Sequence, residues 1–208
     1  MRLFIGTPTH SSWTPEYGHS LAWLMADLAG AKDGPRLVHH AWMDGTILPG
    51  LRMDLAKAAI GMDASHILWT DCDMRFTPAH VRSLMSRDLD IVGANYIRRL
   101  PPHQSTAIGM DGKYLIPSSG VEEVIYTGMG LMLTKVSVFE KLPQPWFLTP
   151  WSDEVGDYVG EDVWFCRFAR DHGFKVHVDH DASIGVGHVG KTVHVIERQP
   201  ERKFKLVQ

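Results

Sequence analysis

The chain has 208 residues, 44% hydrophobic and 22% charged, with a formal net charge of −3. This composition excludes a disordered chain, leaves room for one sizeable core, and gives no general electrostatic reason to expect nucleic-acid binding. Cys72 and Cys166 form neither a disulfide framework nor a CxxC pair, the N-terminus is too short for a signal h-region, and no apolar run approaches the roughly 20 residues of a membrane span, so a soluble cytoplasmic protein without a transmembrane segment is expected.

Leu3-Phe4-Ile5 is a short apolar run ending at Gly6-Thr7-Pro8-Thr9-His10, which predicts a strand and then a loop. Leu21, Leu24, Met25 and Leu28 follow at helical spacing, with Gly30 near the stop. Residues 36–42 suit a second strand, and 44–50 a loop through Pro49-Gly50. Leu51, Leu55, Ala58, Ala59 and Met62 make another amphipathic helix, leading into the apolar run His66-Ile67-Leu68-Trp69. The order βαβαβ favours a parallel sheet with helices on its faces. Thr77-Pro78 opens a helix striped by Val81, Leu84 and Met85, and Asp90-Ile91-Val92-Gly93 is a fourth strand.

From 96 to 133 the pattern changes to turn residues and short β-rich pieces, a mixed region rather than another βα unit. A short helix over 136–142 and a long Pro/Trp-rich loop over 143–158 are predicted next. Gly160-Glu161-Asp162 opens a helix that Asp171-His172-Gly173 ends, and 174–178 is a last strand. There is no internal repeat, so a single domain over 1–208 is expected, with halves at 1–95 and 96–190 and a tail at 191–208. The basic stretch 198–205 of that tail reads as a solvated end or a contact for an anionic surface.

The chemistry concentrates in a few places. Asp71 and Asp73 flank Cys72 where an apolar strand stops, the end of an open α/β sheet at which ligands bind. Carboxylates are hard ligands for Mg²⁺ or Mn²⁺. The plainer alternative is a pair of turn acids capping the next helix. Glu161-Asp162 either suit a helix macrodipole or supply a general base at a helix N-terminus. His188, among twelve histidines, is set apart by flanking Gly187 and Gly190, and a neutral imidazole can complete a Mn²⁺ shell. Arg52 heads a helix and suits phosphate, or is an ordinary surface arginine.

Together these pieces resemble a GT-A glycosyltransferase of the family 2-like, DxD kind. The matching segments are Gly6-Thr7-Pro8-Thr9, Arg52, Leu68-Trp69-Thr70-Asp71-Cys72-Asp73, Asp90-Ile91-Val92-Gly93, Thr127-Gly128-Met129-Gly130, Gly160-Glu161-Asp162 and His188-Val189-Gly190, in that order along nearly the whole chain. The resemblance implies an α/β GT-A fold: a Rossmann-like, mostly parallel sheet flanked by helices, with a small mixed β region. Residues 1–95 would form the nucleotide-binding half and 96–190 the acceptor and catalytic half.

The resemblance further implies that Thr7, Pro8 and Thr9 contact base and ribose, and that Arg52 faces the base or diphosphate. Asp71 would meet the ribose, directly or through the metal. Asp73 and His188 would ligate Mn²⁺ (or Mg²⁺), with Cys72 a small filler between the acids. Gly128 and Gly130 would let backbone approach the donor sugar. Asp162 would be the base of an inverting transfer, Glu161 would orient acceptor or sugar, and Trp146, Trp151 and Tyr158 would stack on the acceptor. The donor would be a nucleotide-diphosphate sugar, UDP-linked or GDP-linked, and the acceptor a glycan, a lipid-linked group or a small molecule. Two rivals are a haloacid-dehalogenase-like phosphatase, whose motif is also DxD after a strand, and a non-catalytic nucleotide-sugar or glycan-binding module.

Overall fold

The computed structural model describes residues 1–190 and 193–195, apart from 11, 33, 100 and 155. In β1 (Arg2–Thr9), Leu3 and Ile5 face one side of the sheet and Phe4 the other, all fully buried. A strand apolar on both faces needs helices on both. The first is α1 (Pro15–Gly30), opened by Thr14, whose Oγ1 accepts from Tyr17 N at 3.2 Å, with Pro15 in the first turn. β2 (Arg36–Asp44) pairs parallel with β1. α2 (Leu48–Gly61) starts before the predicted loop is over. Pro49 and Gly50 lie in its first turn, where a missing N–H costs no helical hydrogen bond. β3 (His66–Thr70) lies parallel to β1 on its other side. Then come β4 (Met74–Arg75), α3 (Pro78–Ser86) and β5 (Ile91–Gly93).

The second half leaves the βα pattern. β6 (Ile108–Gly109) and β7 (Val121–Tyr126) pair antiparallel, and β8 (Leu131–Lys135) inserts antiparallel between β3 and β5. α4 (Val136–Lys141) is short, and β9 (Trp151–Ser152) with β10 (Asp157–Tyr158) makes a small hairpin within the predicted long loop. α5 (Glu161–Asp171) leads to β11 (Val176–Asp179), which is not the last strand. α6 (His180–Ser183), β12 (Gly187–Val189) and β13 (Val193–Val195) follow it. The basic stretch 198–205 lies outside the described residues.

The protein is therefore α/β, with an eight-stranded sheet in the order β2-β1-β3-β8-β5-β11-β7-β6. The sheet is mixed, which corrects the mostly parallel expectation. Pairing is parallel for β2–β1, β1–β3 and β5–β11, and antiparallel at the other contacts. β7 and β8, joined by residues 127–130, both run opposite to β5 and β11, so the second half adds reversed strands to the parallel set of the first.

Two apolar clusters sandwich the sheet. Phe4, Trp69, Phe139, Phe147 and Phe165 lie on the side of α2, α4 and α5, and Leu3, Ile5, Leu24, Leu68 and Leu84 on the side of α1 and α3. Each such side chain contributes about 1.5–3 kcal/mol by leaving water. Among the described residues no helix is long and apolar enough to cross a membrane.

Candidate active site

β3 ends at Thr70 and delivers Asp71, Cys72 and Asp73 into a turn, with Asp71 N donating to Gly130 O at 3.0 Å and Met74 N to Asp71 O at 3.1 Å. β4 continues from this turn and pairs with β12, so that His188 stands opposite Met74, and Val189 N donates to Asp73 O at 2.7 Å. This small second sheet, which also holds β13, brings a histidine from far along the chain onto the acid turn. The turn borders a cavity of about 440 Å³ at the carboxyl ends of β1 and β3, the place where open α/β sheets take ligands.

Asp73 Oδ2 lies 3.3 Å from His188 Nε2. His188 Nδ1 is 3.2 Å from the carbonyl of Ile97, which accepts and so fixes the proton on Nδ1 in the neutral ring. Tyr96 packs edge-on against the imidazole, ring centroids 5.3 Å apart, and holds its plane. Nε2 then presents a lone pair towards a carboxylate oxygen, a donor set that suits a divalent cation tolerant of imidazole, such as Mn²⁺. Asp71 Oδ1 accepts from Arg52 Nη2 at 2.9 Å, as Asp73 Oδ2 accepts from Arg99 Nη1. Among the described residues no three His, Cys, Asp or Glu side chains gather to hold a metal by themselves. An ion on Asp73 and His188 would take the rest of its shell from ligand oxygens, as Mg²⁺ and Mn²⁺ commonly do with phosphates.

Arg52 is buried, not a surface arginine. Besides Asp71 it donates through Nε to Glu161 Oε1 at 3.0 Å and lies over the Trp69 ring at 5.8 Å. Burial alone would lower its pKa, but Asp71 and Glu161 outweigh that and raise it. Its Nη1 is buried without a partner among the described residues, a donor still available to a ligand or water. For Asp71 burial outweighs Arg52, and its carboxyl is held above the usual range. Glu161, nearly buried, steadies Arg52 rather than reaching freely into the cavity.

Asp162 stands in the first turn of α5, its Oδ1 accepting from Val163 N at 2.7 Å. Burial, and then the neighbouring Glu161 carboxylate, push its pKa up to about 6. A carboxylate that titrates near neutrality is suited to general-base work.

Pro8 and Thr9 line the cavity, as do Cys72, Asp162 and His188. Thr7 does not. It shares the face of Leu3 and Ile5, and its Oγ1 bonds with Tyr17 Oη at 2.5 Å and Thr70 Oγ1 at 3.0 Å. Gly128 and Gly130 do not line it either. A Cβ on them would come within 2.4 Å and 2.6 Å of the Tyr96 hydroxyl, so it is Tyr96, not a sugar, that their bareness admits. Trp146 belongs to the core, its Nε1 donating to Leu142 O at 3.0 Å. Trp151 and Tyr158 are exposed on the β9–β10 hairpin and pack edge to face against each other, outside the cavity lining.

The sequence pattern missed Tyr96, Arg98, Arg99 and Thr106, which line the cavity from the irregular segment after β5. Arg99 Nη1 donates to Asp73 Oδ2. The adjacent Arg98-Arg99 pair just past a strand end was the available signal.

No protein-family profile and no curated protein matches the chain. Among solved structures, the crystal structure of A197 from STIV is similar, with a TM-score of 0.65 and 16% identity over 99% of this chain and 98% of that one. At that identity the likeness concerns the fold.

Proposed function

We propose that this chain is a metal-dependent glycosyltransferase of the GT-A kind, moving a sugar from a nucleoside-diphosphate donor to an acceptor hydroxyl. The observation that carries the reading is the meeting, on one strand-end cavity, of the Asp73–His188 pair with an acid of raised pKa, Asp162. The balance of charge supports it. The cavity wall carries the carboxylates of Asp71, Asp73, Glu161 and Asp162 against the guanidinium groups of Arg52, Arg98 and Arg99. An anionic diphosphate would be repelled from such a wall without added positive charge.

Asp73 and His188 would hold Mn²⁺ or Mg²⁺, which when bound neutralises charge on the leaving diphosphate. Arg99, already at Asp73, is placed to pair with a diphosphate oxygen. Pro8 and Thr9 on one side and Leu48 and Leu51 on the other offer a partly apolar slot for the nucleoside. Arg52 keeps Asp71 and Glu161 fixed. The ionised Asp162 takes the proton of the acceptor hydroxyl as its oxygen bonds to the anomeric carbon. The bond from that carbon to the diphosphate oxygen breaks, and the electron pair leaves with the nucleoside diphosphate. Attack from the face opposite the leaving group inverts the anomeric centre.

A thermal-shift screen of UDP, GDP and dTDP and their sugars, with and without Mn²⁺, tests the reading. At least one should raise Tm only when Mn²⁺ is present, and Asp73→Ala should abolish that shift. A metal-independent shift that survives in Asp73→Ala removes the metal assignment. No shift with any nucleotide, together with phosphate release from a generic phosphoester, favours the phosphatase.

A further inference from the structure

A second cavity, of about 240 Å³, adjoins the first. Arg98, Thr106 and Asp162 line both, so the proposed base stands in the wall between them. Tyr114, Tyr126 and Gly160 help to close the smaller one. Gly160 has a steric reason to be there, because a Cβ would lie 2.7 Å from Asp162 Oδ1 and displace the carboxylate. The Tyr126 ring is braced by Arg167, whose guanidinium carbon sits 5.5 Å from the ring centroid. Tyr114 is exposed at the mouth.

Arg98 makes no ion pair and no side-chain hydrogen bond among the described residues, unlike Arg52 and Arg99 beside it. Arg98 lines the smaller cavity together with Tyr114, Tyr126 and Thr106. An unpaired guanidinium beside two phenols and the Thr106 hydroxyl is a recognition set for an anion attached to a hydroxylated ring. Arginine pairs bidentately with carboxylate or phosphate, and phenol rings combine an apolar face with a polar tip. The space suits one ring rather than an extended chain.

We infer that the smaller cavity is the acceptor pocket and that its ligand is a single hydroxylated ring bearing an anionic group, the anion on Arg98 and one hydroxyl facing Asp162. The acceptor role rests on the glycosyltransferase reading, whereas the anion-selective pocket does not. Arg98 thereby selects the acceptor, while the donor diphosphate is left to Arg99 and the metal.

The test uses the full chain, with the ring signals of Tyr114 and Tyr126 assigned by NMR from Tyr114→Phe and Tyr126→Phe. Glucuronate, glucose 6-phosphate and glucose are titrated in turn, and UDP with Mg²⁺ is titrated separately by calorimetry. Glucuronate or glucose 6-phosphate should shift both tyrosine signals with a Kd at least tenfold below that of glucose, and the better of the two identifies carboxylate or phosphate. Arg98→Gln should erase the tenfold preference and weaken the anionic sugars more than it weakens UDP. Arg98→Lys, which keeps the charge but not the fork, should restore part of it. Equal binding of glucose, no shift of either tyrosine by any sugar, or an Arg98→Gln effect confined to UDP overturns the inference. If the anionic sugars bind and UDP does not, the pocket stands and the glycosyltransferase reading falls.

Discussion

Arg52 brings a fully buried cation between two carboxylates that come from opposite halves of the chain, Asp71 after β3 and Glu161 at the start of α5. Removing one partner of a buried ionic network leaves uncompensated charge, at a cost of about 3–5 kcal/mol. Arg52→Met should therefore lower the unfolding free energy measured in urea by an amount of that order, with Arg52→Lys between it and the wild type. The pH dependence has a definite sign. Without Arg52 the Asp71 carboxyl, already raised by burial, rises further, so the folded state binds more protons than the unfolded chain above about pH 4. The deficit should thus narrow as pH falls and widen as it rises, and a deficit that is the same at pH 4.5 and 7.5 would show that Asp71 does not depend on Arg52. Residue type hinted at a phosphate contact for Arg52, and the family resemblance implied a nucleoside contact for Thr7. Residue type could not show that Arg52 has its carboxylates already. For Thr7 the signal was present and unused, since alternation along β1 puts it on the face of Leu3 and Ile5.

The turn between β7 and β8 shows the same at the scale of elements. Gly128 and Gly130 read as room for a sugar, yet the Tyr96 hydroxyl fills that room and accepts from Gly130 N at 2.9 Å. Gly130→Ala would drive a methyl into Tyr96 and Met74, and overpacking of this kind costs about 1–3 kcal/mol. Chemical denaturation should show a loss in that range, and no loss would mean that the turn shifts freely. The strands and helices of the first half were legible because apolar period and Gly/Pro punctuation agree there. The antiparallel insertion of β8 was not, because nothing local distinguishes a central antiparallel strand from a parallel one. Nor was the second sheet, in which a three-residue strand, β12, carries His188 to Asp73 by pairing with a two-residue one, β4. Short strands leave almost no periodic signal.

Across the whole molecule, the acid turn and the first turn of α5 were legible because each sits at an element end with a recognisable boundary, and the β12 histidine because Gly187 and Gly190 flank it. Arg98, Arg99 and Tyr114 were not, because the segment after β5 carries only single bridges outside its named strands, Ile97 with Ser105 and Ile108 with Tyr114. The account nevertheless depends on the molecule as a unit, with β1 and β3 giving the strand-end cavity, the second sheet the Asp73–His188 pair, and α5 the base. Its central claim is sugar transfer with Asp162 as base. Because the pKa of Asp162 is raised to about 6, the fraction ionised, and with it kcat/KM, should rise through pH 6 and level off above pH 7. The same shift means that the folded state binds this proton more tightly than the unfolded one, so its ionisation costs stability above pH 6. Asp162→Asn should thus melt no lower than wild type at pH 7.5, which separates loss of chemistry from loss of fold. The most direct measurement is nucleoside-diphosphate release from UDP-, GDP- and dTDP-sugars with Mn²⁺ and an anionic sugar acceptor, in wild type and in Asp162→Asn. The account predicts metal-dependent release by the wild type, and binding without release by the variant. Release at the wild-type rate by Asp162→Asn, or no release from any donor by the wild type, would contradict it.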